Sequence, residues 1–221
     1  MEEVLLKKCT ESPDTPYARI KIPALFSDAK NEMEKLYLFQ NANPSHVGHS
    51  FIHTPLDHFD LPGPEGTHAC LIYEPMRGTL SQYQSRFPRR RIDSPIFKLH
   101  LYLILKVLDY LHTECRLVHT DIKNDNILMA IEDSTVLEVF TNFYKKHDQP
   151  RHLRDDGHIV YLSDSDFGEL RDPILIPKLS DFNTCFPQPP EDNFNIQPIQ
   201  SHSYRAPEVL LGCPWTESVD I

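Results

Sequence analysis

The sequence predicts an α+β fold, and three stretches carry that reading. Short apolar and β-branched runs, the clearest at 68–73 (H-A-C-L-I-Y), lie within the first 75 residues. A long apolar helix is expected at 94–112. Residues 117–129 (L-V-H-T-D-I-K-N-D-N-I-L-M) then set a polar loop between two short apolar runs. With 221 residues the chain suits one domain or a small two-lobed one, and it can bury a real core.

Taken in order, Val4-Leu5-Leu6-Lys7 reads as a strand ending in a lysine. Pro13, Pro16 and Pro23 predict loop after it. Ser27-Asp28 can cap a helix over 29–40, which Asn, Pro and Gly end within 41–48. Residues 51–59 read as a strand with a proline break. The turn signal D-L-P-G-P-E-G-T at 60–67 then folds it back on 68–73 as a hairpin. Residues 74–78 form an abrupt connector, and 80–87 a short helix. Arg89-Arg90-Arg91 is a solvated basic run.

Ser94-Pro95 supplies an N-cap and a proline at the first helical position. Phe97, Leu101, Ile104, Leu105, Leu108 and Leu111 share one face of the helix that follows. Leu99, Leu103 and Val107 carry the apolar surface most of the way round, so the helix is expected to be central and buried. Residues 130–177 read as a surface insertion, with a helix near 136–145 and a strand at 159–162. A short extended run precedes Asp181, an irregular proline-rich loop follows, and a helix starts after Pro207.

Composition excludes several function classes. The net charge of −10 argues against a nucleic-acid partner gripped through its phosphates. Cys9, Cys70, Cys115, Cys185 and Cys213 are scattered without a C-x-x-C pair. They read as reduced thiols of an intracellular protein, without a zinc ribbon or disulfide framework. His46, His49, His53 and His58 have no thiol or carboxylate ligand pattern beside them, so no zinc site is read there. No apolar run approaches the roughly 18 residues of a membrane span, and the first residues have no signal-peptide pattern. Nineteen prolines against seven glycines suggest rigid connections and few loops able to cradle phosphates.

The loop at 117–129 carries the chemistry. His119, Asp121, Lys123 and Asn126 bring a carboxylate, an ammonium and an amide within six residues. Phosphoryl transfer needs such a set. A carboxylate orients the attacking hydroxyl and takes its proton, a cation steadies the moving group, and an amide oxygen helps to hold Mg²⁺.

These residues resemble the eukaryotic protein kinase family. His119-Thr120-Asp121-Ile122-Lys123-Asn124-Asp125-Asn126 looks like its catalytic loop, Asp181-Phe182-Asn183 like its D-F-G, and Ala206-Pro207-Glu208 is its A-P-E. H-T-D in place of H-R-D, Asn43-Pro44-Ser45-His46, Leu108-Asp109-Tyr110-Leu111-His112 and the run from Tyr204 to Gly212 look like the serine/arginine-rich-protein kinases. The insertion, with I-E-D-S-x-V at 131–136 and D-G-H-I-V-Y at 156–161, is similar to fungal members of that group.

The resemblance implies a two-lobed kinase-like α+β fold, with a remnant small lobe at 1–73, a hinge at 74–78 and a partial large lobe at 79–221. It implies a serine/threonine protein kinase using ATP and Mg²⁺, with protein substrates, Arg/Ser-rich splicing-related proteins among them. No direct nucleic-acid or membrane partner is implied, and the expected location is cytoplasm or nucleus. By position, Lys7 matches the phosphate-holding strand lysine and Glu32 its helix partner, with Glu34 as the alternative. Tyr73 falls at the back of the adenine pocket, where Glu74 and Met76 offer backbone C=O and N–H. Asp121 matches the base, Lys123 the phosphate-steadying cation, and Asn126 and Asp181 the Mg²⁺ ligands. Asp220 matches the residue that braces the catalytic loop.

Three departures from the pattern stand out. No G-x-G-x-x-G exists, so the Gly-rich-loop strands are expected to be missing. The chain stops where most of the large lobe after A-P-E would follow. Asn183 replaces the glycine of D-F-G. A catalytically inactive scaffold and a non-functional fragment therefore stay open as alternatives.

Overall fold

In the computed structural model the described residues are 3–8, 17–22, 29–63, 66–155, 157, 159–161, 166–189 and 193–221. Strands β1 (Glu3–Lys8), β2 (Tyr17–Ile22), β3 (Asp57–Gly63) and β4 (Gly66–Tyr73) form an antiparallel sheet in the order β1-β2-β4-β3. Helix α1 (Ala29–Asn41) leads from β2 toward a 3-10 turn at Val47–Phe51. A small sheet follows in the order β10-β7-β5, built from β5 (Met76–Thr79), β7 (Ile127–Ala130) and β10 (Pro177–Leu179). Between β5 and β7 come α2 (Leu80–Ser85), α3 (Ser94–Thr113) and β6 (Leu117–Val118). The insertion holds α4 (Ser134–Tyr144) and the β8 (Arg151–Leu153)–β9 (Ile159–Tyr161) hairpin. β11 (Phe186–Pro187) pairs with β6, and α5 (Pro207–Leu210) lies near the C-terminal end.

Local rules explain much of this. Thr79 and Gln82 form a reciprocal capping box that starts α2: Gln82 N–H donates to the Thr79 hydroxyl and Thr79 N–H to the Gln82 side chain. Asp133 caps α4 by accepting from Thr135 N–H at 2.8 Å. The cap of α3 is Asp93, one residue earlier than the sequence suggested, and Pro95 keeps its place in the first turn.

The core joins the two parts of the chain. Phe39 of α1 meets Ile104, Val107, Leu108 and Leu111 of α3, with Ile127, Leu179 and Phe182 alongside. Each such side chain contributes about 1.5–3 kcal/mol when fully buried. The 3-10 turn reaches α3 because residue 48 is glycine. A Cβ there would stand 2.0 Å from the Lys106 carbonyl oxygen.

Four expectations are corrected. The proline-bounded loop contains strand β2, where Ala18, Ile20 and Ile22 alternate with Tyr17, Arg19 and Lys21. The run at 51–59 begins in the 3-10 turn, and its strand starts only at Asp57. The broad turn at 60–67 is tight: β3 runs to Gly63, and Gly63 and Gly66 are register partners. Helix α3 is not buried all round, since Phe97, Leu101 and Leu105 are 54%, 47% and 43% exposed, while Ile96, Leu103, Val107 and Tyr110 face inward. Helical periodicity tells which residues share a face; it does not say which apolar face finds a partner.

Candidate active site

The polar loop hangs between β6 and β7. β6 pairs with β11 and β7 with β10, so both ends of the loop are tied to the chain on either side of Asp181. Buried Asp220 holds the loop backbone. Its carboxylate accepts from His119 N–H at 2.7 Å, Thr120 N–H at 2.9 Å and His112 Nε2 at 3.0 Å. That grip holds Thr120 at φ 66°, a left-handed conformation costly for a β-branched residue. The Thr120 hydroxyl adds a 2.6 Å bond to Thr184 O.

His119 is fully buried between the loop and Phe182. Its Nδ1 accepts from Asp121 N–H at 3.2 Å, so the ring proton sits on Nε2 and is donated to Ser180 O at 3.0 Å. Burial holds its pKa below the usual histidine range, although Asp220 and Asp181 pull the other way. A neutral imidazole thus fixes the spacing between Asp121 and the chain that carries Asp181.

Lys123 Nζ is ion-paired with Asp121 Oδ2, and Asn126 Nδ2 donates to the same oxygen at 2.9 Å and to Asp121 O at 2.9 Å. The hydrogen bond to Asp121 raises the proton affinity of Lys123, helped by the charges of Asp121, Asp181 and Asp125, so the ammonium stays charged. Asp181 is exposed, at φ 64° and ψ 68°. The structure thus brings Asp121, Lys123 and Asn126 together and leaves the Asp181 carboxylate facing solvent nearby. Beside them opens a cleft of about 660 Å³, bounded by Thr120, Asp121, Asn183, Phe186, Pro198 and Arg205.

The lysine expected to hold phosphate and a second strand lysine occupy different places in the sheet. Lys7 lies on β1, the outer strand, and its side chain is outside the described residues. Lys21 lies on β2, which pairs directly with β4, the strand that leads to Tyr73. Lys21 is the register partner of Leu71, and Arg19 of Tyr73, so Lys21, Arg19 and Tyr73 share one face. The alternation between Pro16 and Pro23 was the available signal, and the flanking prolines obscured it. Glu32 lies in α1 three residues before buried Lys35, and its side chain is outside the described residues. Glu34 is exposed.

At the connector, Tyr73 and Met76 are buried and Glu74 is half-buried. The Glu74 carbonyl accepts from His53 Nε2 at 3.0 Å, and its carboxylate is ion-paired with Lys178. The His53 ring stacks on Tyr73 with centroids 5.1 Å apart. Arg77, which sequence reasoning passed over, forms a buried ion pair with Glu132 at 2.8 Å, the side chains 4% and 5% exposed. It also donates to Gly168 O and Glu169 O. The two ends of the insertion are therefore clamped to β5 and are not merely laid on the surface.

Burial, with Lys178 and Arg19 nearby, pushes the pKa of His53 down to about 4, against the pull of its bond to Glu74. The folded chain keeps His53 neutral where the unfolded chain, near pKa 6.5, takes up a proton. The stability from this site is complete above about pH 6.5 and is lost as pH falls toward about 4, at about 1.4 kcal/mol per pH unit. Urea unfolding at pH 7 and pH 5 checks this. The wild type should lose about 2 kcal/mol more than His53→Gln over that interval; equal losses would contradict it.

No family model matches the chain. A serine/threonine protein kinase of Aspergillus fumigatus is 30% identical over 221 residues, covering 96% of this chain and 50% of that protein. The serine/threonine-protein kinase SRPK of Physarum polycephalum is 27% identical over 185 residues, covering 75% of this chain and 42% of its own length. The crystal structure of a kinase domain superposes with a TM-score of 0.65 at 22% identity, over 99% of this chain and 57% of that one. The chain spans about half the length of the curated relatives it matches. No helix among the described residues is long and apolar enough to cross a membrane.

Proposed function

This chain belongs to the protein kinases, related to fungal serine/threonine kinases and to the SRPK kinases, and from that premise we propose that it transfers the γ-phosphoryl group of ATP to serine or threonine hydroxyls of proteins. One observation carries the reading. Lys123 Nζ and Asn126 Nδ2 converge on a single oxygen of Asp121, at the edge of an open cleft. Asp121 Oδ2 is held by both, which leaves Oδ1 to receive the proton of an entering hydroxyl. Lys123, released toward a phosphoryl group, balances charge as it moves. Arg/Ser-rich proteins are the proposed substrates, on the likeness to SRPK kinases alone.

The donor set fits Mg²⁺. Asn126 spends its Nδ2 on Asp121, which turns Oδ1 to the other side, and Asp181 offers an exposed carboxylate. Two hard oxygens suit an ion that keeps several waters and bridges phosphates. Bound there, Mg²⁺ would neutralise charge on the phosphates.

Lys21, rather than Lys7, is the lysine proposed to hold the α- and β-phosphates, with Glu32 as its helix partner. Tyr73, Glu74 and Met76 are proposed to frame the adenine. Transfer of labelled phosphate from ATP to an Arg/Ser-repeat peptide tests both parts. Lys21→Met should slow transfer on the order of 10²-fold or more, and Lys7→Met should stay within about twofold. The reverse pattern would restore Lys7.

A second reading, a nucleotide-binding scaffold without transfer, draws on the connector. The Glu74 carbonyl is already bonded to His53, and Arg19 shares the face of Tyr73 where a base would lie. Wild-type protein that binds Mg·ATP yet labels no peptide would favour it.

A further inference from the structure

We propose that Lys35 is a positioning residue that holds the Asp181-Phe182-Asn183 segment against α1 and so sets where the Asp181 carboxylate stands, an inference that rests on the phosphoryl-transfer reading above. Lys35 is buried in the second turn of α1. Its Nζ donates to Phe182 O at 2.6 Å and to Asn183 O at 3.0 Å. An ammonium stripped of water is tolerated only where acceptors replace its hydration. Here the acceptors are carbonyls of a three-residue 3-10 turn, Phe182–Thr184, whose own ladder uses little more than the Cys185 N–H to Phe182 O bond at 3.2 Å. The Phe182 oxygen keeps a second lone pair beside that bond, and carbonyls at such an end carry partial negative charge, which a cation satisfies.

A second contact from the same helix face supports this. One turn beyond Lys35, Phe39 packs edge-on against the Phe182 ring at 4.8 Å, and His119 meets that ring from another side at 5.4 Å. Helix α1 therefore grips the segment twice, through the backbone by Lys35 and through the side chain by Phe39. Asp181, immediately before the turn, is a non-glycine residue in the left-handed region. Such a residue keeps that conformation only while its neighbours over-determine it. Removing the Lys35 bonds frees the two peptide groups that follow it. Moving α1 away would do the same, so Lys35 and Phe39 together tie the Asp181 carboxylate to the position of the helix.

Lys35→Met and Lys35→Arg test the idea, with Lys35→Gln in reserve should the Met variant fail to fold. The first readout is amide hydrogen exchange over 181–185 without nucleotide. It should quicken about tenfold in Lys35→Met, stay near wild type in Lys35→Arg, and leave β5 and α2 unchanged. The second is the Mg²⁺ concentration for half-maximal binding of a fluorescent ATP analogue. It should rise about tenfold in Lys35→Met, as for other residues that orient a metal ligand, and binding in EDTA should change less than twofold. Unchanged exchange overturns the proposal. So does faster exchange with unchanged Mg²⁺ demand, which would leave Lys35 a purely structural tie. A wild type whose nucleotide binding ignores Mg²⁺ overturns the phosphoryl-transfer reading itself, and this role with it.

Discussion

Asp121→Asn is expected to transfer phosphate on the order of 10³-fold more slowly than wild type while unfolding at nearly the same urea concentration. The asymmetry follows from where Asp121 sits. Its side chain is partly exposed, and its interactions are an ion pair with Lys123 and a bond from Asn126. Pairs of that kind contribute about 0–1 kcal/mol, and the amide keeps an oxygen for one donor. What the amide cannot do is accept a proton. General-base catalysis is typically worth 10²–10⁴-fold, and the substitution also costs Lys123 its counter-charge. Steady-state transfer to an Arg/Ser-repeat peptide, measured beside urea unfolding, separates the two effects. Equal transfer by both proteins would point to a contaminating activity and remove Asp121 from the reaction. A matching collapse of stability would mean that the residue is structural.

Asp220→Ala should behave in the opposite way, unfolding first. The Asp220 side chain is fully buried and takes three donors: His119 N–H, Thr120 N–H and the His112 ring. Truncation strands two buried backbone donors, each costing about 1–3 kcal/mol without a partner, and releases Thr120 from its left-handed conformation. The expected loss is about 3–5 kcal/mol, a large share of a domain's stability. Asp220→Asn retains one acceptor oxygen but turns an N–H₂ toward a donor, so an intermediate loss is expected. Urea midpoints of the two variants read this directly. A loss below about 1 kcal/mol in Asp220→Ala would show that the loop is held elsewhere, by β6–β11 and β7–β10 pairing.

Legibility in the sequence varied with the range of the interaction. Asp121, Lys123 and Asn126 lie within six residues, and they do converge on one oxygen. The long helix, the short helix after the connector and the strand at 68–73 are likewise set by neighbours a few positions apart. Local grounds point to Lys7, an apolar run closed by a lysine. Yet which of two lysine-bearing strands lies beside β4 is a matter of sheet order, and sheet order pairs residues some fifty positions apart, as Lys21 with Leu71. Helix α3 shows the same limit. Its apolar surface was plain, but the Phe97–Leu101–Leu105 side has no cover among the described residues.

The amino-acid sequence alone determined the clustering of Asp121, Lys123 and Asn126 in the 117–129 loop, the α+β class and the kinship with protein kinases, because each depends on residue type at short, fixed spacing. The resemblance already pointed to Asp220 as the brace of the loop, but only the tertiary structure decided that Lys35 of α1 seizes the carbonyls beside Asp181, that Arg77 clamps the insertion and that Lys21 stands next to the connector strand. Those are contacts between a charge and a buried backbone or side-chain group. They form only after the core has brought the partners together, and no local pattern records which partner that will be.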